Sequence, residues 1–284
     1  MKKFVALLLA ALLVLSAVSA FADKITIAVP NDATNEGRAL MLLQDAGVLK
    51  LKEGTGLKAT KDDIEAFLSV DEIEFYEVEA AMVPSVKDDV DYAIINGNYA
   101  LDAQIDPATT LLREKAVDNP YVNVVCVNAG NENTDLAKAL AAAVLSQQVA
   151  DYINENYAGA VVSAVAEPTD GYDATVDYDA LNGQTIVIAC SPTPHAQILA
   201  IAKDILAAKG ITLQIVELPD YVTPNTAVND GEAFANYFAH IPYQEDFNAE
   251  NGTNLVSIAG VHAEPLGLYG GKQADLTALG VAAE

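Results

Sequence analysis

The stretch VPNDATNEGRALMLLQDAGVLKL, residues 29–51, predicts the end of a β-strand, a polar turn and an α-helix. Asn31 and Asp32 have the short polar side chains that cap helix N-termini. Apolar residues then recur at helical spacing over residues 34–47, and Gly47 is a plausible helix stop. Arg38 falls in the first turns, where a cation opposes the helix dipole. Either Arg38 is an ordinary surface arginine, or it binds an anion together with backbone N–H groups of the turn.

The first 22 residues have the features of a secretory signal peptide. Lys2 and Lys3 precede the apolar run FVALLLAALLVL, and Ala20 and Ala22 form an A-x-A cleavage signal. An uncleaved membrane anchor is the alternative, but the apolar run is short for a spanning helix. No cysteine directly follows the run. We therefore expect export, cleavage near Ala22, a periplasmic or secreted location and no lipid anchor.

The charge balance limits the partners that the chain can have. It contains 15 Lys and Arg against 40 Asp and Glu, a formal net charge of −25. So acidic a chain is a poor partner for nucleic acids and for anionic membrane surfaces. Its two cysteines, Cys126 and Cys190, both lie in apolar, strand-like runs. Export permits a disulfide, and two separately buried thiols remain equally open.

Strand and helix patterns alternate along the rest of the chain, as is typical of α/β layers with mostly parallel sheets. The segment at 58–70 is typical of a helix, at least in part, and the segment at 134–157 of one long helix. Residues 167–183 are acidic and rich in turn formers, which predicts a linker that adds almost nothing to either core. Four strands end in polar segments, namely VPND, IING, ACSPTPH and AGVHAEP. Ligands of α/β sheets bind beyond such strand ends.

Several longer motifs carry a resemblance to a known family. They are VPNDATNEGRALMLLQDAGVLKL, YAIINGNYAL, PYVNVVCV, SPTPHAQIL, DYVTPNTAVNDGE, FANYFAHIPYQ and VHAEPLGLYGGK. Together they resemble the NlpA-type, methionine-binding substrate-binding proteins of ABC importers, over nearly all of the chain outside the signal peptide and the predicted linker. In that family the SPTPHAQIL half comes first, whereas here it comes second. The resemblance therefore implies a circular permutant, cut before the VPND strand and joined through the acidic linker.

The family implies an α/β, two-lobed periplasmic-binding-protein fold of type II-like architecture, with mostly parallel sheets flanked by helices and the ligand in the inter-lobe cleft. Lobe B is expected at 23–118 with the tail 269–284. Lobe A is expected at 184–268, with a crossing strand and helix at 119–166. Residues 167–183 are then the linker between the old termini.

The resemblance also implies a function. The protein would capture a free amino acid, most of all L-methionine, for an ABC transporter permease, as a monomer that uses no cofactor and no metal. The side chains expected around the ligand are Arg38, Asn96, Asn31, Asn35, Tyr221, Phe238, His240, Tyr243, His262 and Glu264. Arg38 would take the ligand carboxylate in bidentate form, and the aromatic rings suit a thioether.

Other interpretations remain open at this point. Tyr221 and Phe238 are equally consistent with core packing, His240 and His262 with structural histidines, and His195 with a helix cap. The ligand could be another hydrophobic amino acid or a Met-containing dipeptide. A secreted enzyme or an interaction module on a reused fold is the alternative of another class. Because the histidines and cysteines lack zinc spacing, and no nucleophile or phosphate-loop motif occurs, we expect a protein that is not an enzyme.

Overall fold

The computed structural model describes residues 24–115 and 119–281, and within these ranges the chain forms thirteen strands and nine α-helices. The strands are β1 (Ile25–Pro30), β2 (Leu49–Leu51), β3 (Ile64–Phe67), β4 (Ile73–Val78), β5 (Tyr92–Ile95), β6 (Thr110–Arg113), β7 (Val122–Asn128), β8 (Val162–Ser163), β9 (Thr185–Cys190), β10 (Thr212–Glu217), β11 (Ala235–His240), β12 (Leu255–Ala263) and β13 (Gly267–Gly270). The helices are α1 (Ala33–Asp45), α2 (Val83–Val86), α3 (Gly97–Asp102), α4 (Asp135–Val144), α5 (Gln147–Asn156), α6 (Tyr178–Leu181), α7 (Gln197–Ala207), α8 (Thr223–Asn229) and α9 (Ile241–Asn251).

Two larger sheets define the two lobes. Lobe B has the strand order β4-β1-β5-β13-β6, and lobe A has the order β10-β9-β11-β7-β12-β8. The chain passes from lobe B to lobe A after β6 and returns between Ala263 and Gly267, slightly earlier than the predicted boundary at 268. The predicted signal peptide lies outside the described residues. In the described part of the chain, no helix has both the length and the apolar character needed to cross a membrane.

Both sheets are mixed rather than mostly parallel. β1 runs parallel to β4 and β5, and β9 runs parallel to β10 and β11. The first strand that the chain forms after each passage between the lobes is antiparallel to its neighbours. Thus β7 is antiparallel to β11 and β12, and β13 is antiparallel to β5 and β6. The prediction of mostly parallel sheets is therefore wrong in this respect, because each lobe receives strands from the other half of the chain.

Helix α1 begins much as its sequence predicts. The Asp32 side chain accepts a hydrogen bond from the Asn35 backbone N–H at 3.0 Å, so Asp32 is the N-cap. The helix ends at Asp45, and Gly47 follows with φ of +74°, a conformation that favours glycine. Arg38 thus lies on the second turn of this helix, and Asn35 in its first turn contacts His240 of the other lobe.

Two of the predicted helices are different in the structure. Residues 58–70 contain strand β3, which pairs with β2, and only short 3₁₀ turns before it. The segment 134–157 is two helices, α4 and α5, because the chain breaks at Leu145 and Ser146 and Ser146 caps the second helix.

The segment 167–183 is packed against lobe A. Thr169 accepts from the Gln147 N–H and donates its own N–H to Leu145, both at 2.9 Å, and so fills the break between α4 and α5. Val176 and Leu181 are buried in the lobe A core at 8% and 6% exposure. The prediction that this segment adds almost nothing to a core is therefore wrong. Its acidic, turn-rich composition obscures the few side chains that anchor it.

The two cysteines are free and buried in the structure. Burial raises the pKa of each thiol to about 12, which keeps both protonated and unreactive near neutral pH. The alternative of two separately buried thiols, left open by the sequence, is thus the one that the structure contains.

Candidate ligand-binding site

A pocket lies between the lobes, where the carboxyl ends of β5 and β11 meet the start of α1. The pocket is small and narrow, and the polar side chains that converge on it are of the kind that small-molecule sites have. Its lining residues come from both lobes and from the crossing segment: Asn35, Arg38, Asn96, Gly97, Asn98, Asn123, Tyr221, Phe238, Ala239, His240, Tyr243 and Glu264.

Eight of the ten side chains expected around a ligand line this pocket, and two do not. Asn31 lies in a neighbouring groove that shares Tyr221 and Tyr243 with the pocket. His262 lies behind the pocket wall, where its Nε2 contacts Glu264 at 2.5 Å. The placement of these residues is an observation, while their contact with a ligand stays a prediction.

Arg38 is buried, at 3% exposure, and most of its guanidinium is already engaged. Its Nε and Nη2 donate to the two carboxylate oxygens of Glu114 at 3.0 and 2.6 Å, and Nη2 also donates to the Glu264 carbonyl at 3.0 Å. The ring of Tyr121 stacks on it, 4.2 Å from Cζ. Only Nη1, with a long contact of 3.4 Å to Asn35, remains for a ligand. The bidentate contact predicted from the sequence is therefore blocked by Glu114.

A chain of amides forms the polar wall of the pocket. Asn35 donates to the carboxylate of the N-cap Asp32 at 2.9 Å and accepts from Asn96 Nδ2 at 2.8 Å. Asn98 accepts from the Tyr221 hydroxyl at 2.6 Å. Among the described residues, two buried atoms of these amides have no hydrogen-bond partner, the acceptor Asn96 Oδ1 and the donor Asn98 Nδ2. Since unpaired buried polar atoms cost free energy, the pair points to a polar ligand that offers both a donor and an acceptor.

His240 completes this wall as a neutral group. Its Nδ1 accepts from the Tyr243 backbone N–H at 3.1 Å, so the proton lies on Nε2, which contacts Asn35 Oδ1 at 3.3 Å. Burial, together with the nearby Arg38, holds the pKa of His240 well below its ordinary value. His240 is therefore a fixed donor and contributes no charge to the pocket.

The opposite wall is aromatic. The ring centroids of Tyr221 and Phe238 lie 5.8 Å apart, and Tyr243 packs within 5.7 Å of Tyr221 and 6.0 Å of Phe238. Such faces suit an aliphatic or thioether side chain, because sulfur–aromatic contacts at about 5 Å are favourable.

Behind the pocket lies a buried cluster of His195, His262 and Glu264. Both imidazoles approach Glu264 Oε1 through Nε2, His262 at 2.5 Å and His195 at 3.4 Å, and the Tyr237 hydroxyl bonds to His262 Nδ1. Burial lowers the pKa of each histidine to about 3 and raises the pKa of Glu264. The three ligand-type atoms lie within 4.8 Å of one another, so these residues could hold a metal ion. Hydrogen bonds account for their positions here.

The sequence reasoning missed three functional candidates. Asn98 and Asn123 both line the pocket, and both lie in motifs quoted above, INGN and PYVN. Nothing in the sequence near Glu114 indicates that it binds Arg38, because the two residues are 76 positions apart in the chain.

Two α/β lobes that enclose one small polar pocket define the class of two-lobed binding proteins. A model of the NlpA lipoprotein family matches residues 14–165 and 186–284. The chain belongs to the NlpA lipoprotein family.

Several named relatives are similar to parts of the chain. Membrane lipoprotein TpN32 of Treponema pallidum is 39% identical over 146 residues, which are 51% of this chain and 54% of the relative. D-methionine-binding lipoprotein MetQ of Salmonella typhimurium is 35% identical over 142 residues, 49% of this chain and 52% of the relative. Among solved structures, a nutrient binding protein from Burkholderia cenocepacia bound to methionine is 37% identical, with a TM-score of 0.45 over 51% of this chain and 61% of that chain.

The chain thus spans about half the length of the curated relatives that it matches. These relatives are named lipoproteins, whereas the sequence predicts no lipid anchor. That expectation stays a prediction.

Proposed function

We propose that this protein is an extracytoplasmic solute-binding protein that captures one free amino acid, L-methionine, for an ABC importer. The observation that carries the proposal is the pair of amide atoms without a partner among the described residues, Asn96 Oδ1 and Asn98 Nδ2, together with Arg38 Nη1, which makes only a long contact to Asn35. A zwitterion needs donors for its carboxylate and an acceptor for its ammonium. The pocket offers both within reach of one aromatic wall.

Each part of an amino acid has a place in this arrangement. The carboxylate would accept from Arg38 Nη1 and Asn98 Nδ2, and the ammonium would donate to Asn96 Oδ1, with the Glu264 carboxyl as a second acceptor. The side chain would lie against Tyr221 and Phe238. Relatives named for methionine binding support the choice of methionine, as does the thioether's affinity for aromatic faces.

A Met-containing dipeptide is the second candidate ligand. A groove lined by Asn31, Asp32, Glu79 and Asp220 continues from the pocket beyond the rings of Tyr221 and Tyr243. Its acidic side chains suit the ammonium of an N-terminal extension, which would displace the two rings.

Calorimetric titration tests the proposal. The protein is unfolded and refolded to remove endogenous ligand, then titrated with L-methionine, D-methionine, the other hydrophobic amino acids and Met-containing dipeptides. We expect L-methionine to bind with a dissociation constant of about 1 μM or below, which corresponds to about −8 kcal/mol. A correctly refolded protein that gives no heat with any of these ligands would contradict the proposal. Turnover of a bound ligand would favour the enzyme alternative.

We also propose that the chain is circularly permuted relative to its family. Each curated relative aligns with only about half of the chain, as a reversed order of halves requires. The two ends of the described chain lie close together, since Lys24 and Ala278 line one surface groove and Ser69 bonds to the Leu279 carbonyl. Nearby termini are the usual requirement for permutation.

Restoring the usual family order tests the permutation. Glu284 is joined to Asp23 through a short linker and the chain is opened near Asp173. We expect this protein to fold and to bind the same ligand with unchanged affinity, because no strand or long helix is cut. The free energy of unfolding should fall by on the order of 1–2 kcal/mol through loop-closure entropy and loosened packing. A matched control opened inside β9, between Ile188 and Ala189, should not fold. Failure of the Asp173 opening to fold would contradict the proposed order.

A further inference from the structure

Of the residues that the structure describes, Arg38 is the only lysine or arginine that lines the pocket, so its charge dominates the electrostatics of any ligand bound there. The side chain is 4% exposed and that of Glu114 is 12% exposed, which shields the pair from solvent. In such a setting a carboxylate at 2.6 Å cancels most of the guanidinium field toward the pocket. His240 at the pocket and His195 behind it do not restore a positive charge, since burial lowers the pKa of both and keeps them neutral.

Further hydrogen bonds hold Glu114 at the crossing between the lobes and oppose its movement toward the pocket. Its Oε2 accepts from the Leu266 N–H at 2.9 Å, and its backbone N–H donates to the Leu266 carbonyl at 3.0 Å. Arg38 is tied to the same crossing through the Glu264 carbonyl. Glu114 therefore holds two of the three guanidinium nitrogens on the side away from the pocket.

We propose that Glu114, which lies outside the pocket, is a specificity-determining residue that makes the site accept zwitterions and reject anions. It leaves a ligand carboxylate one arginine nitrogen in place of a bidentate fork, and it cancels the one fixed positive charge near the ligand. A ligand with a carboxylate alone would then meet a site without net positive charge. A ligand that brings its own ammonium finds acceptors for it at Asn96 and Glu264. This inference rests on the proposed function.

The test uses two probes that each lack one charge of L-methionine. The anion 4-(methylthio)butanoate lacks the ammonium, and the cation 3-(methylthio)propylamine lacks the carboxylate. In Glu114→Gln the pocket gains one positive charge while the side chain keeps its shape. We expect the anion to bind at least tenfold more tightly than in the natural chain, and the amine at least tenfold more weakly. A purely structural role for Glu114 would move both affinities in the same direction, so that result would overturn the inference.

Two controls accompany this variant. Glu72→Gln removes an exposed carboxylate, paired with Lys24 far from the pocket, and should leave both probes unchanged. Glu114→Asp keeps the charge and should keep the amine bound at least as tightly as the anion. If Glu114→Gln does not fold, the two probes are titrated into the natural chain instead. The natural chain should bind the amine at least as tightly as the anion, and tighter binding of the anion would overturn the inference. Absence of L-methionine binding to the natural chain would instead defeat the proposed function itself.

Discussion

An Arg38→Ala variant is expected to lose ligand binding almost completely. Removal of one side of a buried, charge-assisted contact typically costs about 2–5 kcal/mol of binding free energy, which is a loss of roughly 30-fold to several thousand-fold in affinity. The effect should be at the upper end, because Arg38 also orients Asn35 and holds the crossing segment through the Glu264 carbonyl. Calorimetric titration with L-methionine measures it.

The same substitution should destabilise the protein. It leaves the Glu114 carboxylate facing a cavity without its partner, and breaking a buried ion pair from one side costs about 3–5 kcal/mol. Arg113→Ala is the matched control, since Arg113 is the only other arginine in the sequence and is exposed, where it donates to Pro107 and Thr110. Equal affinities for the two variants would show that the ligand carboxylate is held elsewhere.

Mild acid is expected to destabilise the protein strongly through its buried histidines. In the folded state the pKa of His195 and of His262 is about 3, and the pKa of His240 also lies well below its ordinary value, whereas an unfolded histidine has a pKa of about 6.5. Below pH 6.5 the histidines of the unfolded chain therefore bind protons, whereas the same histidines in the folded chain stay neutral. Each histidine then costs about 1.4 kcal/mol per pH unit until the pH reaches the folded pKa. Glu264 acts in the opposite direction, because its raised pKa lets the folded state take up a proton first.

Chemical unfolding at pH 7 and pH 5 measures this effect. We expect the free energy of unfolding to fall by on the order of 3 kcal/mol between these values, a window above the ordinary titration of surface carboxylates. His195→Gln should remove about a third of the loss, because glutamine does not titrate and His240 and His262 still do. A free energy of unfolding that stays constant or rises on going from pH 7 to pH 5 would show that the histidines are not held neutral.

Much of the fold was predictable where the determinants are local. The N-cap at Asp32, the stop at Gly47 and the apolar spacing between them gave helix α1 nearly its observed bounds. The position of Asn96 at the edge of the pocket was predictable because it directly follows a fully buried strand, β5. In both cases a short run of residues carries the whole signal.

The remaining features depend on partners far away in the chain. The break at Leu145 in the predicted long helix is stabilised by Thr169, 24 positions later in the chain. The helical periodicity of residues 134–157 does not reveal this contact. The pairing of Arg38 with Glu114 likewise depends on how lobe B meets the crossing segment. The prediction that Tyr221 and Phe238 face a ligand came from the family resemblance, because apolar strands and turns alone do not distinguish a pocket from a core.

We propose that one zwitterionic amino acid occupies the pocket with its carboxylate at Arg38 and its ammonium at Asn96. The most direct measurement is the crystal structure of the protein refolded without ligand and then crystallised with L-methionine. We expect the carboxylate within hydrogen-bond distance of Arg38 Nη1 and Asn98 Nδ2, with Glu114 still bound to the other two guanidinium nitrogens. We also expect the ammonium at Asn96 Oδ1. A ligand bound outside this pocket, or one whose carboxylate lies away from Arg38, would contradict the proposal.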